Sequence, residues 1–287
     1  MLAAQEPIQA VRYSPAYFGP NANPVPQFTD ATIPQHTTFT LGANYFRGFE
    51  GDLTYNGHLT AEIPLLARRV SLKVWTPFME YFEVPQDVVI KRDMNGNRTG
   101  VASIGDIYVQ TRISILAEKT YLPAIILNST LKTASSTPKE FVSRRYFDTP
   151  GYYFDIEVGK SLHINNTLLS ELRLVADVGF LCWETTESTQ NDALMYGIKI
   201  IAANRSAKLE ASLSGYKGWI KNGDVPLVCS SKLIFSTSIP LTYFVEYHYG
   251  INNFPYHHGQ VGVQIAVGFL TPRYNITTTN LSATSDQ

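Results

Sequence analysis

The histidines and one Gly-Lys-Ser triplet are the residues of this sequence whose type and spacing could carry out chemistry. Serine hydrolysis needs a histidine base near the nucleophile, but the chain has no His-x-Ser pair, and the nearest match, His58 with Thr60, offers a weaker nucleophile. The triplet at 159–161 lacks the upstream glycine of a phosphate-binding loop. Two adjacent imidazoles in a loop, His257 and His258, are not the arrangement of a structural metal site. We therefore predict no enzyme activity, no metal site and no cofactor.

The composition is poor in charge and rich in aromatic residues. Of the 287 residues, 16% are charged and 12% are aromatic, whereas a soluble domain has about 25% charged residues. The net charge of -1 gives no electrostatic attraction to nucleic acid, which is excluded as a partner. No apolar run approaches the roughly 18–20 residues of a membrane-spanning helix, so a helical membrane protein is excluded as well.

Apolar and polar residues alternate with a period of two through most of the chain after residue 35. In the stretch 258–270, Val261, Val263 and Ile265 are separated by small or polar residues. This is the period of a β-strand with one apolar face and one polar face. The same pattern recurs along the chain, at 36–46, 53–63, 70–78, 105–117, 123–133, 151–159, 171–180, 192–202, 208–219, 225–236, 241–249 and 258–270.

Short and long connections alternate between these segments. Short turns such as 65–69, 118–122 and 203–207 alternate with longer polar loops such as 84–102 and 134–149. That alternation is typical of a bacterial outer-membrane barrel. We predict an all-β fold: a transmembrane antiparallel up-and-down β-barrel of about 12 strands, with short periplasmic turns and longer extracellular loops. It would be integral to the outer membrane of a Gram-negative bacterium, with membrane lipid and the lipopolysaccharide leaflet as its partners.

A soluble β-sandwich would also alternate, because each of its sheets has one face in the core and one in water. The low charge, strands close to the ~9–11 residues that cross a bilayer, and the aromatic residues near the long loops favour the membrane barrel instead. We predict that these aromatic side chains form a girdle at the extracellular interface, composed of Tyr45, Phe46, Phe78, Tyr81, Phe82, Trp183, Trp219, Tyr247 and Tyr249.

The polar face of each strand would point into the lumen. It carries acidic and basic residues in similar numbers, which suits a charged, weakly selective passage. The same residues could instead form a ladder of ion pairs that fills a narrow bore. Both interpretations place the same residues in the lumen, namely Glu62, Lys73, Asp106, Arg112, Lys132, Asp155, Glu157, Glu171, Arg173, Asp177, Lys199, Lys208, Glu210, Glu246 and His248.

The first 35 residues differ in composition from the rest of the chain. They are rich in proline and follow neither a strand nor a helix pattern. We divide the chain into a proline-rich periplasmic segment at 1–35, a barrel at 36–270 and a C-terminal tail at 271–287. The first segment could plug the barrel mouth, dock on a partner or remain a disordered tail. Its aromatic residues argue against full disorder and would form the plug: Tyr13, Tyr17, Phe18 and Phe28.

Residues 105–136 resemble part of a known family. The stretch opens on Gly105-Asp106, and its second strand follows a Pro123-Ala124 step. In these features it resembles the outer-membrane channel family associated with phenol meta-pathway degradation. The sequence departs from that family at "KTASS", after the second strand, and where the chain continues past Phe269. The resemblance implies a monomeric channel of about twelve strands for small solutes, with apolar or aromatic compounds as the expected class.

Two functions remain open, and neither is enzymatic. One is a channel for the passive uptake of small solutes. The other is a closed barrel that serves as a structural subunit of a multi-protein outer-membrane assembly or transport machine. Ion flow through the lumen would indicate the channel, whereas a blocked lumen and retention of other outer-membrane proteins would indicate the subunit.

Overall fold

The computed structural model describes residues 14–136, 138–164, 169–184, 190–219, 224–237 and 239–271. The strands are β1 (Thr37–Gly48), β2 (Leu53–Leu65), β3 (Val70–Glu83), β4 (Thr99–Ile104), β5 (Tyr108–Leu116), β6 (Ala124–Lys132), β7 (Gly151–His163), β8 (Glu171–Glu184), β9 (Gln190–Ala203), β10 (Ala207–Gly218), β11 (Leu227–Ser236), β12 (Leu241–Asn252) and β13 (Tyr256–Val267). The helices are α1 (Gln86–Arg92), α2 (Pro138–Val142) and 3-10 turns at Pro15–Tyr17, Leu66–Arg68 and Gly268–Leu270. None of the described helices is long and apolar enough to cross a membrane.

The strands form one closed antiparallel barrel with twelve positions around its wall. Except for β4 and β5, which both pair with β3, strands that follow each other along the chain pair with each other. The strand β1 closes the ring by pairing with β13, from Thr37 opposite Val267 to Gly48 opposite Tyr256. The strands β4 and β5 share one position, because β4 pairs with the second half of β3 and β5 with its first half. The predicted all-β barrel of about twelve strands is confirmed.

The pairing of β4 corrects one predicted boundary. The sequence pattern assigns 84–102 to a loop, whereas Thr99–Ile104 pairs with the stretch of β3 from Phe78 to Glu83. The strand β3 has 14 residues and β5 has 9. Without β4, the second half of β3 would therefore present a row of unpaired N–H and C=O groups at an open edge.

Connections of different length lie at the two ends of the barrel. The connections 66–69, 117–123 and 204–206 lie at one end, together with the start of β1 and the end of β13. We call this the turn end. The connections 84–98, which contains α1, and 133–150, which contains α2, lie at the opposite end. We call this the loop end.

Side chains point alternately out of the barrel and into it. The outward set is apolar, as in Leu41, Val245 and Val261, each more than half exposed. The inward set includes buried charged residues such as Arg112 and Glu157. A closed, hydrogen-bonded wall with an apolar exterior is the arrangement in which strands cross a lipid bilayer. The longest strands have 14 residues, which at about 3.3 Å per residue exceeds the roughly 25 Å apolar band of such barrels even when tilted.

Residues 14–36, which we call the inner segment, run through the barrel from one end to the other. At the loop end, the Tyr256 hydroxyl donates a hydrogen bond to the carbonyl of Phe18 at 2.9 Å. At the turn end, the segment continues into β1 at Thr37. The described part of the segment therefore lies inside the barrel. The predicted tail beyond Thr271 lies outside the described residues.

Candidate functional site

One carboxylate joins the inner segment to the barrel wall. Glu157, on β7, accepts hydrogen bonds from the N–H and the hydroxyl of Thr29, both at 2.7 Å, and from the N–H of Ala31 at 3.0 Å. The guanidinium of Arg112, on β5, lies 3.6 Å from the same carboxylate and also donates to the Thr29 hydroxyl. Because a buried carboxylate needs compensating donors, the segment and the wall stabilise each other here.

Basic side chains on the neighbouring strands also bind the inner segment. Arg173, on β8, donates a hydrogen bond to the carbonyl of Asp30 at 2.7 Å, and Lys199, on β9, donates to that of Phe28 at 2.6 Å. Lys208, on β10, lies 3.1 Å from the Asp30 carboxylate. The wall from β5 to β10 therefore binds this stretch of chain with charged groups that would otherwise line an open lumen.

Two glycines of the same wall leave room for the segment. A Cβ atom at Gly197 would lie 2.3 Å from the ring of Phe28, and one at Gly159 would lie 2.8 Å from the Cβ atom of Ala31. Both distances are well below van der Waals contact, so a side chain at either position would force the segment away from the wall. The groove that receives the segment thus depends on glycine at these two positions.

The predicted plug residues lie along this path. Phe28 is buried, with the Lys199 ammonium 4.9 Å from the centre of its ring. Phe18 is buried and stacks on Phe147, with ring centres 4.2 Å apart, and Tyr17 packs against the same cluster. Tyr13 lies outside the described residues.

Apolar side chains pack across the lumen at the loop end. The cluster combines Val25 of the inner segment with inward-facing residues of the strands and of one connection. Burying an apolar side chain of this size contributes roughly 1.5–3 kcal/mol, so the cluster acts as a small core inside the barrel. Besides Val25, its members are Phe46, Tyr108, Tyr153, Leu181, Trp183, Ala193, Met195, Tyr216, Val228, Phe254 and Tyr256.

The long loops bind beside this cluster through buried polar pairs. Arg145, in the loop that contains α2, donates a hydrogen bond to Glu80 on β3 at 2.9 Å, and the Tyr146 hydroxyl donates to the same carboxylate at 3.1 Å. Arg92, on α1, lies 3.0 Å from Asp52. Burial, together with the charge of Glu80, raises the pKa of Tyr146 well above its usual value, so its hydroxyl stays protonated as a donor.

A cavity of about 520 Å³ remains between the inner segment and the opposite wall. It extends from Thr38 and Gln264, near the turn end, to Phe46 and Phe254, near the loop end. Its lining is polar over much of this length. The charged side chains and histidines that line it are Asp30, His58, Glu62, Lys73, Arg112, Lys199, Lys208, Glu210, Lys232, Glu246, His248 and His258.

The adjacent histidines lie on β13 and not in the loop that the sequence suggested. His258 faces the cavity, where its ring stacks on that of His248 at 4.5 Å between centres. His257 faces the other way and shares a hydrogen bond of 2.7 Å with the Tyr247 hydroxyl. In the described part of the chain, no group of three or more His, Cys, Asp or Glu side chains is placed to hold a metal ion.

The predicted lumen residues divide into three groups. The first group lines the cavity and comprises Glu62, Lys73, Arg112, Lys199, Lys208, Glu210, Glu246 and His248. The second group, Glu157 and Arg173, binds the inner segment away from the cavity. The third group lies on the inner side of the wall without lining the cavity and comprises Asp106, Lys132, Asp155, Glu171 and Asp177. Within it, Asp106 and Lys132 form an ion pair of 2.6 Å. The lumen thus contains a charged wall around the segment on one side and a cavity on the other.

The predicted aromatic girdle lies only partly on the outside. The exposed members are Tyr45, Tyr81, Trp219, Tyr247 and Tyr249, and Phe78 packs over Gly57. Phe46, Phe82 and Trp183 are instead on the inner side, with only 3–4% of each exposed. The physical reason is the strand period, because successive side chains point to opposite faces. Phe46 directly follows the outward Tyr45, so both cannot face lipid.

A closed barrel of twelve positions with an apolar exterior and a polar lumen is the architecture of the small outer-membrane barrels. No protein-family model and no curated protein sequence matches this chain. Several solved structures share its fold. An outer-membrane channel from Pseudomonas putida F1 superposes with a TM-score of 0.55 at 7% identity, over 85% of this chain and 100% of that one.

Two porins give comparable superpositions. The NanC porin gives a TM-score of 0.53 at 10% identity, over 80% of this chain and 100% of its own. The KdgM porin gives 0.51 at 10% identity, over 79% and 99% of the two chains. At such identities the similarity establishes the shared fold.

Proposed function

We propose that this protein is an integral outer-membrane channel for the passive uptake of small solutes. The observation that carries the proposal is the cavity of about 520 Å³ that extends alongside the inner segment. Thr38 and Phe46 both line it, and eight residues of strand cover about 26 Å. The inner segment narrows the lumen along this length and so sets the size of what can pass.

The lining suggests which solutes the channel admits. Both signs of charge line the cavity, so we expect weak selectivity by charge and stronger selectivity by size. Aromatic side chains such as Trp75, Tyr108 and Phe244 line it too, which suits solutes with an apolar or aromatic part. The resemblance of 105–136 to the phenol meta-pathway channels supports the same class, and the fold shared with other outer-membrane channels supports the channel role.

The same proposal assigns the surroundings of the barrel. The outward apolar side chains would face outer-membrane lipid, and the loop end would face the lipopolysaccharide leaflet, because long loops are extracellular in such barrels. Other outer-membrane proteins could contact this surface. Neither the lumen nor the exterior requires a catalytic role.

Single-channel conductance in a planar bilayer tests the proposal. The full chain is compared with a variant that lacks residues 1–35 and starts just before β1. Heat-shifted gel mobility confirms that both barrels are folded. We expect small steps from the full chain and larger steps from the truncated variant, because removal of the inner segment widens the lumen. A synthetic peptide of residues 14–36 should reduce the larger steps, and a scrambled peptide should not. The absence of conductance steps from both folded barrels would overturn the channel proposal.

A closed structural subunit is the second candidate, and one observation favours it. The apolar cluster and the buried loop pairs narrow the lumen at the loop end, with Tyr216 and Tyr256 fully buried there. A lumen closed in this way would conduct ions neither in the full chain nor in the variant that lacks residues 1–35. The barrel would then serve as a scaffold for other outer-membrane proteins.

A further inference from the structure

Lys73 differs from the other basic residues of the cavity. Four other basic side chains line the cavity, and each has a carboxylate oxygen within 4.0 Å: Arg112 with Glu62 at 2.7 Å, Lys199 with Glu210 at 3.4 Å, Lys208 with Glu210 at 2.9 Å and Lys232 with Glu246 at 3.0 Å. Among the described residues, Lys73 has no carboxylate within that distance. Its charge therefore remains available to an anion in the cavity.

The cross-strand neighbour of Lys73 is paired with a different cation. Glu62 lies directly opposite Lys73 in the pairing of β2 with β3. Its carboxylate oxygen accepts hydrogen bonds from Arg112 and from the Ser71 hydroxyl, both at 2.7 Å. Glu62 is thus paired with Arg112 and forms no ion pair within 4.0 Å with the Lys73 ammonium, which lines the cavity.

One aromatic ring borders the Lys73 ammonium on the loop-end side, and a second ring stacks on the first. The ammonium lies 5.1 Å from the ring centre of Trp75, and Trp75 stacks on Tyr108 with ring centres 5.0 Å apart. All three residues line the cavity. A cation bordered by a flat aromatic surface is suited to a ligand with a negative end and an apolar body.

Two buried polar groups of the apolar cluster make no hydrogen bond of normal geometry with any described residue. The Tyr108 hydroxyl is buried and makes no hydrogen bond with any described residue. The indole N–H of Trp183 lies beside the Tyr216 hydroxyl but makes no hydrogen bond of normal geometry. Tyr108 and Trp183 both line the cavity and belong to the apolar cluster. An unpaired buried donor carries a desolvation penalty, which a hydrogen bond to a ligand oxygen would relieve.

We propose that Lys73, Trp75, Tyr108 and Trp183 form a binding subsite for a small organic monocarboxylate. The carboxylate pairs with Lys73 and also accepts hydrogen bonds from the Tyr108 and Trp183 donors, while the apolar body lies against Trp75. This assignment rests on the proposed channel function and names its solute class. A pure hydrocarbon would leave the donors unpaired. A polyanion would meet the nearby carboxylates, with Lys73 as the one unpaired cation among the described cavity residues.

Calorimetric titration of the detergent-solubilised full chain with benzoate tests the subsite. Benzamide serves as the neutral isostere, and acetate as the carboxylate without an apolar body. We expect benzoate to bind more tightly than either. Lys73→Met should weaken benzoate binding at least about tenfold and leave benzamide unchanged, because only the ion pair is lost. Tyr108→Phe, which removes one hydroxyl, should weaken it about threefold.

The double variant Lys232→Met/Glu246→Gln is the matched control. It removes a lumen ammonium together with its own carboxylate, so the net charge of the lumen is unchanged, and benzoate affinity should stay at the wild-type value. Heat-shifted mobility verifies folding of every variant. Three outcomes would each overturn the subsite. They are a benzoate affinity of Lys73→Met equal to that of the wild type, a wild-type affinity for benzamide equal to that for benzoate, and no binding of benzoate. Since binding is measured without a bilayer, these outcomes are independent of whether the channel conducts.

Discussion

Glu157 and Glu246 are both inward-facing glutamates of the same barrel, and their surroundings give them different roles. Glu157 binds the backbone of the inner segment at Thr29 and Ala31. Glu246 binds other wall residues, Lys232 among them at 3.0 Å. The position of a carboxylate on the wall therefore decides whether it holds the segment or shapes the cavity.

Replacing Glu157 with glutamine should loosen the inner segment. A neutral amide cannot compensate the positive charge of Arg112. Its NH₂ group would also face one of the donors whose hydrogen bonds the carboxylate now accepts. Disrupting a buried pair of this kind costs about 3–5 kcal/mol. We expect a larger single-channel conductance. We also expect severalfold faster maleimide labelling of a cysteine introduced at the exposed Thr32, measured in a protein that carries Cys182→Ser and Cys229→Ser.

The control for this substitution is Glu246→Gln, which makes the same chemical change on the opposite wall. Labelling at Thr32→Cys should stay at the starting rate, because Glu246 contacts wall residues and lies away from Glu157 in the lumen. Equal labelling rates in both variants would contradict the role of Glu157.

Glu118, in the connection between β5 and β6, should make the turn end sensitive to acid. Burial acts to raise the pKa of its carboxyl, but the hydrogen bond from the Ser161 N–H and the contact with Arg173 outweigh burial and lower the pKa. A lowered carboxyl pKa stabilises the fold above the unfolded-state pKa, and this contribution is lost as the pH falls through the folded-state pKa. Glu118→Gln should therefore reduce the unfolding temperature at pH 7, and the gap from wild type should shrink below about pH 4.

The unfolding temperatures can be followed by circular dichroism in detergent. Glu83→Gln, at an exposed position of β3, serves as the reference and should differ little from wild type at either pH. A gap for Glu118→Gln that stays constant between pH 7 and pH 3 would argue against an ionised Glu118 in the folded protein.

At the scale of elements, β7 and β9 receive the inner segment because each has a glycine where the segment approaches most closely. Gly197→Val should displace Phe28, since even a Cβ atom would lie 2.3 Å from its ring. The barrel itself should still fold, because the displaced ring can move into the cavity. We expect increased conductance together with unchanged heat-shifted mobility.

Gly42→Val gives the comparison for this element. Gly42 also lies on the inner face, but the nearest atom to an added Cβ is Nε2 at the movable end of Gln260, at 3.1 Å. The Gly42→Val substitution should therefore leave the inner segment in place and should not increase the conductance. If Gly197→Val conducts no better than Gly42→Val, the groove does not hold the segment.

The alternating pattern predicted most of the wall, because a period of two is a local property that neighbouring residues reveal. It missed β4, whose six residues lie in a polar stretch with a weak pattern. The path of the inner segment could not be predicted either, since its proline-rich sequence has no period and Thr29 binds a residue 128 positions away. The predicted girdle was partly wrong because its members were assigned by their proximity to the long loops. At Phe46 and Phe82, the alternation of side chains along the strand turns the ring inward instead.

At the scale of the whole molecule, the chain passes through the barrel before it builds the wall. The inner segment starts at the loop end, beside Tyr256, and finishes at the turn end, where it joins β1. It therefore shares the lumen with the cavity between Pro20 and Pro34. Any solute that passes must move along the segment as well as along the wall.

This path predicts that the two ends of the inner segment are reached from opposite sides of the membrane. Ala16 lies near the loop end and Gln35 at the turn end, so cysteines introduced at these positions should be labelled from different sides. In proteoliposomes of known orientation that lack Cys182 and Cys229, a membrane-impermeant bulky maleimide added on the loop side should modify Ala16→Cys and leave Gln35→Cys unmodified. Addition on the turn side should give the reverse. Labelling of both positions from the turn side alone would mean that the segment folds back and does not cross the lumen.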